Sequence, residues 1–202
     1  MKTNGLITFP VLTTERLELR QIHCEDCDEI FRLLTDKQVN KYYARPRAAN
    51  FEDARNYIEM ILSATNKARL FYWAICFKGE PKLVGTICLW NFRKEERKAE
   101  IGYELLPEFQ MKGIMKEAFK RVVDFAFETL PLKAIDAWPN AENYRAIKLL
   151  EDSHFKRDIE AENKIDWSKE AGFYRTNEEE KKVITVIYTQ TKDCWESFKS
   201  EK

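Results

Sequence analysis

The most constraining feature of this 202-residue sequence is one run, Glu100-Ile101-Gly102-Tyr103-Glu104-Leu105-Leu106-Pro107-Glu108-Phe109-Gln110-Met111-Lys112-Gly113-Ile114-Met115. A strand pattern over residues 99–106 stops at a proline, and an amphipathic helix begins within a few residues. Over residues 112–129 the helix places Met115, Ala118, Phe119, Val122, Val123 and Ala126 on one face. The first amides of such a helix have no partners within it, and the macrodipole adds partial positive charge there. Gly113 lets successive amides converge on an anion, and Lys112 adds a formal charge. The stretch is therefore a candidate pyrophosphate site. A strand, a turn and a helix with one glycine is nonetheless a common arrangement, and most examples hold no ligand. Neither GxxxxGK[ST] nor GxGxxG occurs, so the sequence offers no Walker or dinucleotide-fold reading.

The rest of the chain alternates between the two periods. Residues 16–20 read as a first strand, 25–34 and 51–67 as helices, and 71–77, 83–91 and 99–106 as an antiparallel meander. After the 112–129 helix come a short strand at 134–138, a helix at 143–152, a last strand at 183–191 and a closing helix at 193–198. Residues 156–182 are strongly charged and read as a long loop or insertion before the last strand. The order predicts an α/β (α+β) domain spanning 1–202, with helices on both faces of one sheet. Aromatics at 13% and hydrophobic residues at 44% supply a core.

Lys plus Arg and Asp plus Glu both number 34, which gives no electrostatic reason to expect nucleic acid or a membrane surface as partner. No apolar run approaches the roughly 18 residues of a membrane span. Five cysteines without regular spacing do not resemble a secreted disulfide framework. A cytoplasmic protein is expected. Cys24 and Cys27 form a CxxC beside His23, which raises a metal or redox reading. No second CxxC or HxxxH completes a zinc set, and the only other histidine is His154. Two thiols in the first turns of a helix is the simpler reading, and no metal site is expected.

Four segments in order resemble the GNAT superfamily of N-acetyltransferases, and within it the RimJ/RimL-like branch of ribosomal-protein N-terminal acetyltransferases. Thr14-Glu15-Arg16-Leu17-Glu18-Leu19-Arg20 is similar to that branch's T-x-R-L-x-L-R strand. Ile101 to Leu105 is similar to its G-Y-x-L strand. Pro107 to Met115 with Glu117-Ala118 resembles its P-E-[YF]-x-x-K-G-x-[AM]-x-E-A loop and helix. Residues 143–155 resemble N-x-x-[SA]-x-x-L-L-E-x-x-x-F.

The resemblance covers residues 13–155. It implies a splayed, mixed but mostly antiparallel sheet with acetyl-CoA as donor, bound between the central strands. It further implies pantetheine pairing with backbone at Tyr103, Leu105 and Leu106, as an added strand would. The pyrophosphate would lie on the loop of Gln110, Met111, Lys112, Gly113, Ile114 and Met115, with Asn143 contacting or positioning the pantetheine. The sequence departs from the pattern with Met111 where Gly is frequent, Met115 where a small residue is frequent, and His154 where Gly precedes Phe155. Ala146 and Leu150 stand where relatives carry Ser and Tyr, which leaves the general acid unassigned.

Acetyl transfer to an amine needs alignment, a polarised carbonyl and a proton acceptor. Period-two spacing puts Glu100 and Glu104 on one side of their strand. Glu104 is the candidate base or water-positioning group, with an ordinary salt-bridged residue as the competing reading. Trp73, Trp90 and Trp138 are candidates for an acceptor pocket or for the core. The run Glu178-Glu179-Glu180-Lys181-Lys182 reads most simply as a solvated turn before the last strand, with an acidic insert steering a cationic substrate as the other reading. The acceptor is expected to be a primary amine, on a protein N-terminus or a small molecule. The alternative is an acyl-CoA-binding or regulatory module without turnover. A homodimer through an edge strand or the C-terminal strand is compatible with either.

Overall fold

Apolar alternation builds an eight-stranded sheet, seen in a computed structural model that describes residues 9–43, 45, 47–67, 69–165 and 184–200. Its strands are β1 (Leu12–Thr13), β2 (Leu17–Gln21), β3 (Phe71–Phe77), β4 (Leu83–Arg93), β5 (Lys98–Leu105), β6 (Ala134–Ala137), β7 (Lys156–Arg157) and β8 (Tyr188–Thr191). They run in the order β1-β2-β3-β4-β5-β6-β8-β7. Every pair is antiparallel except β5 with β6. The mixed, mostly antiparallel sheet expected from the resemblance is present.

The helices are α1 (Cys27–Thr35), α2 (Phe51–Asn66), α3 (Ile114–Thr129), α4 (Tyr144–Asp152), α5 (Ile159–Lys164) and α6 (Lys192–Ser200). One sheet face sends Leu17, Leu19, Trp73, Ile75, Ile87 and Ile101 against Phe119, Val122 and Ala126 of α3. The other sends Tyr72, Ala74 and Cys76 against Ile30 and Leu33 of α1 and Ala54, Ile58 and Ile61 of α2. Phe119 and Val122 are fully buried, so truncating Phe119 to Ala would cost roughly 3–5 kcal/mol. Helix α2 begins where its sequence dictates: Asn50 accepts from the Asp53 amide at 3.1 Å and the Asp53 carboxylate accepts from Ala49 N at 2.7 Å. Such a cap contributes about 1 kcal/mol.

Several boundaries differ from the sequence expectation. The helix expected at 25–34 opens as a 3-10 turn, Cys24–Asp26, before α1. The described part of the expected 156–182 loop holds β7 and α5, tied by Arg157 to Glu162 at 3.0 Å and by Asp158 accepting from Ala161 N at 2.9 Å. The remainder of that stretch, with Glu178 to Glu180, lies outside the described residues, as does Val183. The expected strand 183–191 is regular only over β8, with a single bridge from Asn140 to Thr185 before it. His154 adopts φ 65°. Its amide donates to Glu151 O and the Phe155 amide to Leu150 O, the paired bonds that close a helix with a left-handed residue. Its ring stacks on Phe198 of α6 at 3.7 Å, so the histidine has a turn role. Among the described residues no helix is long and apolar enough to cross a membrane, and no group of three or more His, Cys, Asp or Glu could hold a metal.

Candidate active site

The site begins where two neighbouring strands part. β5 and β6 pair in parallel over three rungs only, Lys98 with Ala134, Ala99 with Ile135 and Glu100 with Asp136. β6 ends at Ala137, while β5 continues to Leu105 beside β4 alone. Antiparallel pairing uses alternate residues. The Leu106 amide donates to Val84 O at 3.0 Å, so the backbone of the even-numbered residues faces β4. Ile101, Tyr103 and Leu105 then turn their amides and carbonyls into the gap. Side chains already meet two of those carbonyls: the Tyr43 hydroxyl donates to Tyr103 O at 2.9 Å and Gln110 Nε2 to Leu105 O at 3.0 Å. Of the three residues expected to offer backbone to the cofactor, Tyr103 and Leu105 face the gap, whereas the Leu106 amide is committed to β4. Ile101 also faces the gap, and strand alternation alone could have found it.

The crotch of the fork is stapled by charge. Arg93 donates to Glu100 Oε1 at 3.0 Å and bridges to Asp136, Asn91 Nδ2 donates to Glu100 at 2.6 Å, and Thr189 Oγ1 donates to Asp136 at 2.8 Å. Both carboxylates are buried, and buried charges persist only when paired in this way.

At the other end of β5, a 3-10 turn (Pro107–Phe109) leads into the loop before α3. Met111 at φ 60° and Gly113 at φ 74° are both left-handed. No side chain caps the start of α3. Alternating left-handed residues turn successive amides toward one point, and the free amides of the helix add to them. Met111 is 82% exposed, Ile114 is buried and Met115 is partly buried. Lys112 Nζ lies over the Phe109 ring at 5.8 Å. Gln110 is anchored by Gln38 at 3.0 Å and Arg145 at 3.1 Å.

A second layer braces this loop, and sequence reasoning missed it. Glu117, in the first turn of α3, accepts from the Thr14 hydroxyl, the Arg16 amide at 2.9 Å and Arg16 Nε at 2.6 Å. Arg16 NH1 reaches back to Lys112 O at 3.3 Å. Partial burial pushes the Glu117 carboxyl up, but the donors from Thr14 and Arg16 outweigh it and hold it below the usual range.

The gap opens into a cleft of about 760 Å³ reaching from α2 to α4. Glu104 lies on its wall, buried, with Arg45 NH2 on Oε2 at 2.6 Å. Its other oxygen, Oε1, has longer contacts, 3.4 Å each to Arg45 NH1 and Thr86 Oγ1. Arg45 is itself held by Asn40 Oδ1 at 2.9 Å and packs over the Tyr43 ring at 4.8 Å. Hydroxyls continue from Thr86 to Tyr72 at 3.1 Å and Tyr57 at 3.4 Å. Burial, then the charge of Glu104, pushes the Tyr57 phenol up to about 12. Burial pushes the Cys88 thiol up to about 12 as well, leaving it inert.

Trp90 and Trp138 line the cleft, while Trp73 is buried in the core with its indole N–H on Pro10 O at 2.8 Å. Asn143 also lines the cleft, and its side chain caps α4 by accepting from Ala146 N at 3.2 Å. The Tyr103 hydroxyl comes within 3.4 Å of the carbonyl oxygen of Ala146, the residue that stands where the family's pattern has Ser.

An open strand edge, a left-handed loop at a helix N-terminus and a carboxylate on the cleft wall would suit a transferase that takes its acyl group from an extended carrier. Comparison with known proteins agrees. The acetyltransferase (GNAT) domain family matches residues 16–156. The uncharacterized N-acetyltransferase YoaA of Bacillus subtilis is 32% identical over 150 residues, 74% of this chain and 85% of that protein. The uncharacterized N-acetyltransferase p20 of Bacillus licheniformis is 32% identical over 147 residues, 73% of this chain and 83% of that protein. Among solved structures, the ribosomal L7/L12 acetyltransferase RimL in complex with coenzyme A shares the fold with a TM-score of 0.74 at 14% identity. That match covers 92% of this chain and 99% of RimL. The chain belongs to the GNAT acetyltransferase family. It is an N-acetyltransferase with acetyl-CoA as its acetyl donor.

Proposed function

We propose that acetyl transfer to a primary amine takes place in the cleft where β5 leaves β6, with Glu104 as the proton acceptor. The observation that carries this reading is the unpaired edge of β5, running from the charged staple at Glu100 to the left-handed loop. Unpaired backbone groups in a cleft favour an extended ligand that completes their hydrogen bonds. Tyr103 and Leu105 hold the pantetheine arm there, and Asn143 fixes the start of α4 beside it. The amides of Met111, Lys112, Gly113, Ile114 and Met115 receive the pyrophosphate, with the Lys112 charge adding to them and Gln110 anchoring the loop. Acetyl-CoA supplies a thioester, which is already activated toward amines.

The protein's own contribution is alignment and proton removal. Arg45 holds Glu104 Oε2 at 2.6 Å and so fixes the side chain on the cleft wall. Oε1, with only 3.4 Å contacts, keeps spare capacity to accept from an entering amine. Glu104→Gln is expected to lower kcat by about 10²-fold or more and to leave the acetyl-CoA Kd within about two-fold by calorimetry. The exchange also leaves Arg45 without its counter-charge, so Glu104→Gln/Arg45→Met is measured alongside it. The double variant should recover melting temperature without recovering turnover. Unchanged kcat in the single variant removes Glu104 from this role.

A further inference from the structure

We infer that the acceptor is a monoamine with an aromatic or bulky apolar group next to the amino carbon. It is supplied either as a small arylalkylamine or as a polypeptide N-terminus beginning with such a residue. This rests on reading the cleft as the amine site.

Gly102 sits between Glu100 and Glu104 on the same face of β5. Without a side chain it leaves the floor between the two carboxylates open. A Cβ there would meet Cys88 Sγ at 3.3 Å and Trp90 Nε1 at 3.9 Å. Beside the polar side chains of Thr86, Asn91, Asn140 and Asn143, the cleft is lined by the rings of Tyr42, Tyr57, Tyr72, Trp90 and Trp138 and by Met60. Met60 is 54% exposed on α2, so apolar surface continues outward along that wall.

Each carboxylate among the described lining residues already has a partner. Glu104 is paired with Arg45, Glu100 with Arg93 and Asn91, and Asp53 accepts from Ala49 N and Asn50 N at the cap of α2. Arg47 and Arg69 line the same cleft. An acceptor with a second ammonium would lose hydration there against a wall whose described carboxylates are all committed. A single amine is served by Glu104 Oε1 and the ring faces. The remaining volume rewards an apolar body, and a ring placed among aromatics gains burial and edge or stacking contacts.

The test is thiol release from acetyl-CoA with four acceptors: phenethylamine, a tetrapeptide beginning with Phe, spermidine and a tetrapeptide beginning with Ser. Phenethylamine or the Phe peptide should exceed spermidine and the Ser peptide in kcat/KM by about 10-fold or more, the scale on which apolar pockets discriminate. Which of the two leads tells the source. Met60→Glu, on the exposed side of α2, adds a free carboxylate and should shift the ratio of spermidine to phenethylamine upward by about 10-fold. Preference for spermidine or the Ser peptide in the native protein overturns the inference and leaves the acetyl-transfer site intact. The same preference for phenethylamine or the Phe peptide, with turnover unchanged in Glu104→Gln, keeps the inference and overturns the catalytic assignment. No thiol release with any of the four amines overturns the inference.

Discussion

Removing Glu117 tests whether the loop proposed to hold the cofactor is braced from outside. Glu117→Ala deletes three hydrogen bonds at the start of α3. The Arg16 side chain is 45% exposed and that of Glu117 21%, so the guanidinium contact is screened and contributes under about 1 kcal/mol. The Thr14 hydroxyl and Arg16 amide donate to a carboxylate that is better shielded, and each such bond contributes about 1 to 1.5 kcal/mol. The total loss is about 3 kcal/mol, which in a chain of this length lowers Tm by about 6–12 °C. Arg16 is then free to leave Lys112 O, so calorimetry should show acetyl-CoA affinity falling by about 10-fold.

The pH dependence follows from the carboxyl lying below its unfolded value of 4.5. A depressed carboxyl contributes stability that is complete above the unfolded value and is lost as pH falls through the lower folded value. Glu117→Gln should therefore flatten the acid limb of the stability curve below about pH 4.5. A Tm drop under about 2 °C for Glu117→Ala, or unchanged cofactor affinity, would refute the brace.

Two glycines give further outcomes. Gly113→Ala forces a side chain into a left-handed position, φ 74°, at a cost of about 1–2 kcal/mol. Melting should fall by several degrees and acetyl-CoA binding should weaken in the same variant. Gly85→Ala places a Cβ 2.4 Å from the Glu104 carbonyl oxygen and 2.5 Å from Leu105 Cδ2, so β4 and β5 must separate. A loss of up to about 3 kcal/mol in denaturant unfolding should accompany a fall in kcat/KM, because the strand that moves carries Glu104. A variant that melts normally and turns over normally refutes the close approach.

What the sequence made legible, and what it hid, divides along range of interaction. Period-two alternation put Glu100 and Glu104 on one side of β5, and both line the cleft there. Their cations were hidden, because Arg93 comes from the far end of β4 and Arg45 from the connection before α2. The strand Thr14 to Arg20 was legible as a strand, but the partner of Thr14 and Arg16 lies a hundred residues away on α3. Trp73 and Trp90 look alike in sequence, and only the register of β3 against β4 separates core from cleft. Met111 carries no signal of its own for a left-handed position, which glycine favours, and only the Gly frequent there in the family's pattern points to that geometry. The strands β1 and β7, at two residues each, are too short for any period to register.

The open edge itself has a local cause. Glu100 and Asp136 face each other on the last paired rung, and two buried carboxylates so close would repel were Arg93 not between them. Immediately beyond, the chain reads Trp138-Pro139-Asn140. Proline has no amide to give to β5, and its carbonyl instead accepts from Val186 N at 3.0 Å while Ala141 N donates to Ile184 O at 2.7 Å. The chain after β6 is thus drawn to the segment leading into β8 and cannot follow β5 farther. Residues 101, 103 and 105 keep backbone capacity that no neighbouring strand takes up, at the point where the arginine staple fixes the angle of the fork. Tyr43 and Gln110 cover two of the exposed carbonyls with side-chain donors that can rotate away. A sheet interrupted in this way leaves the place of one strand open, the place that the proposed function gives to an extended acyl carrier.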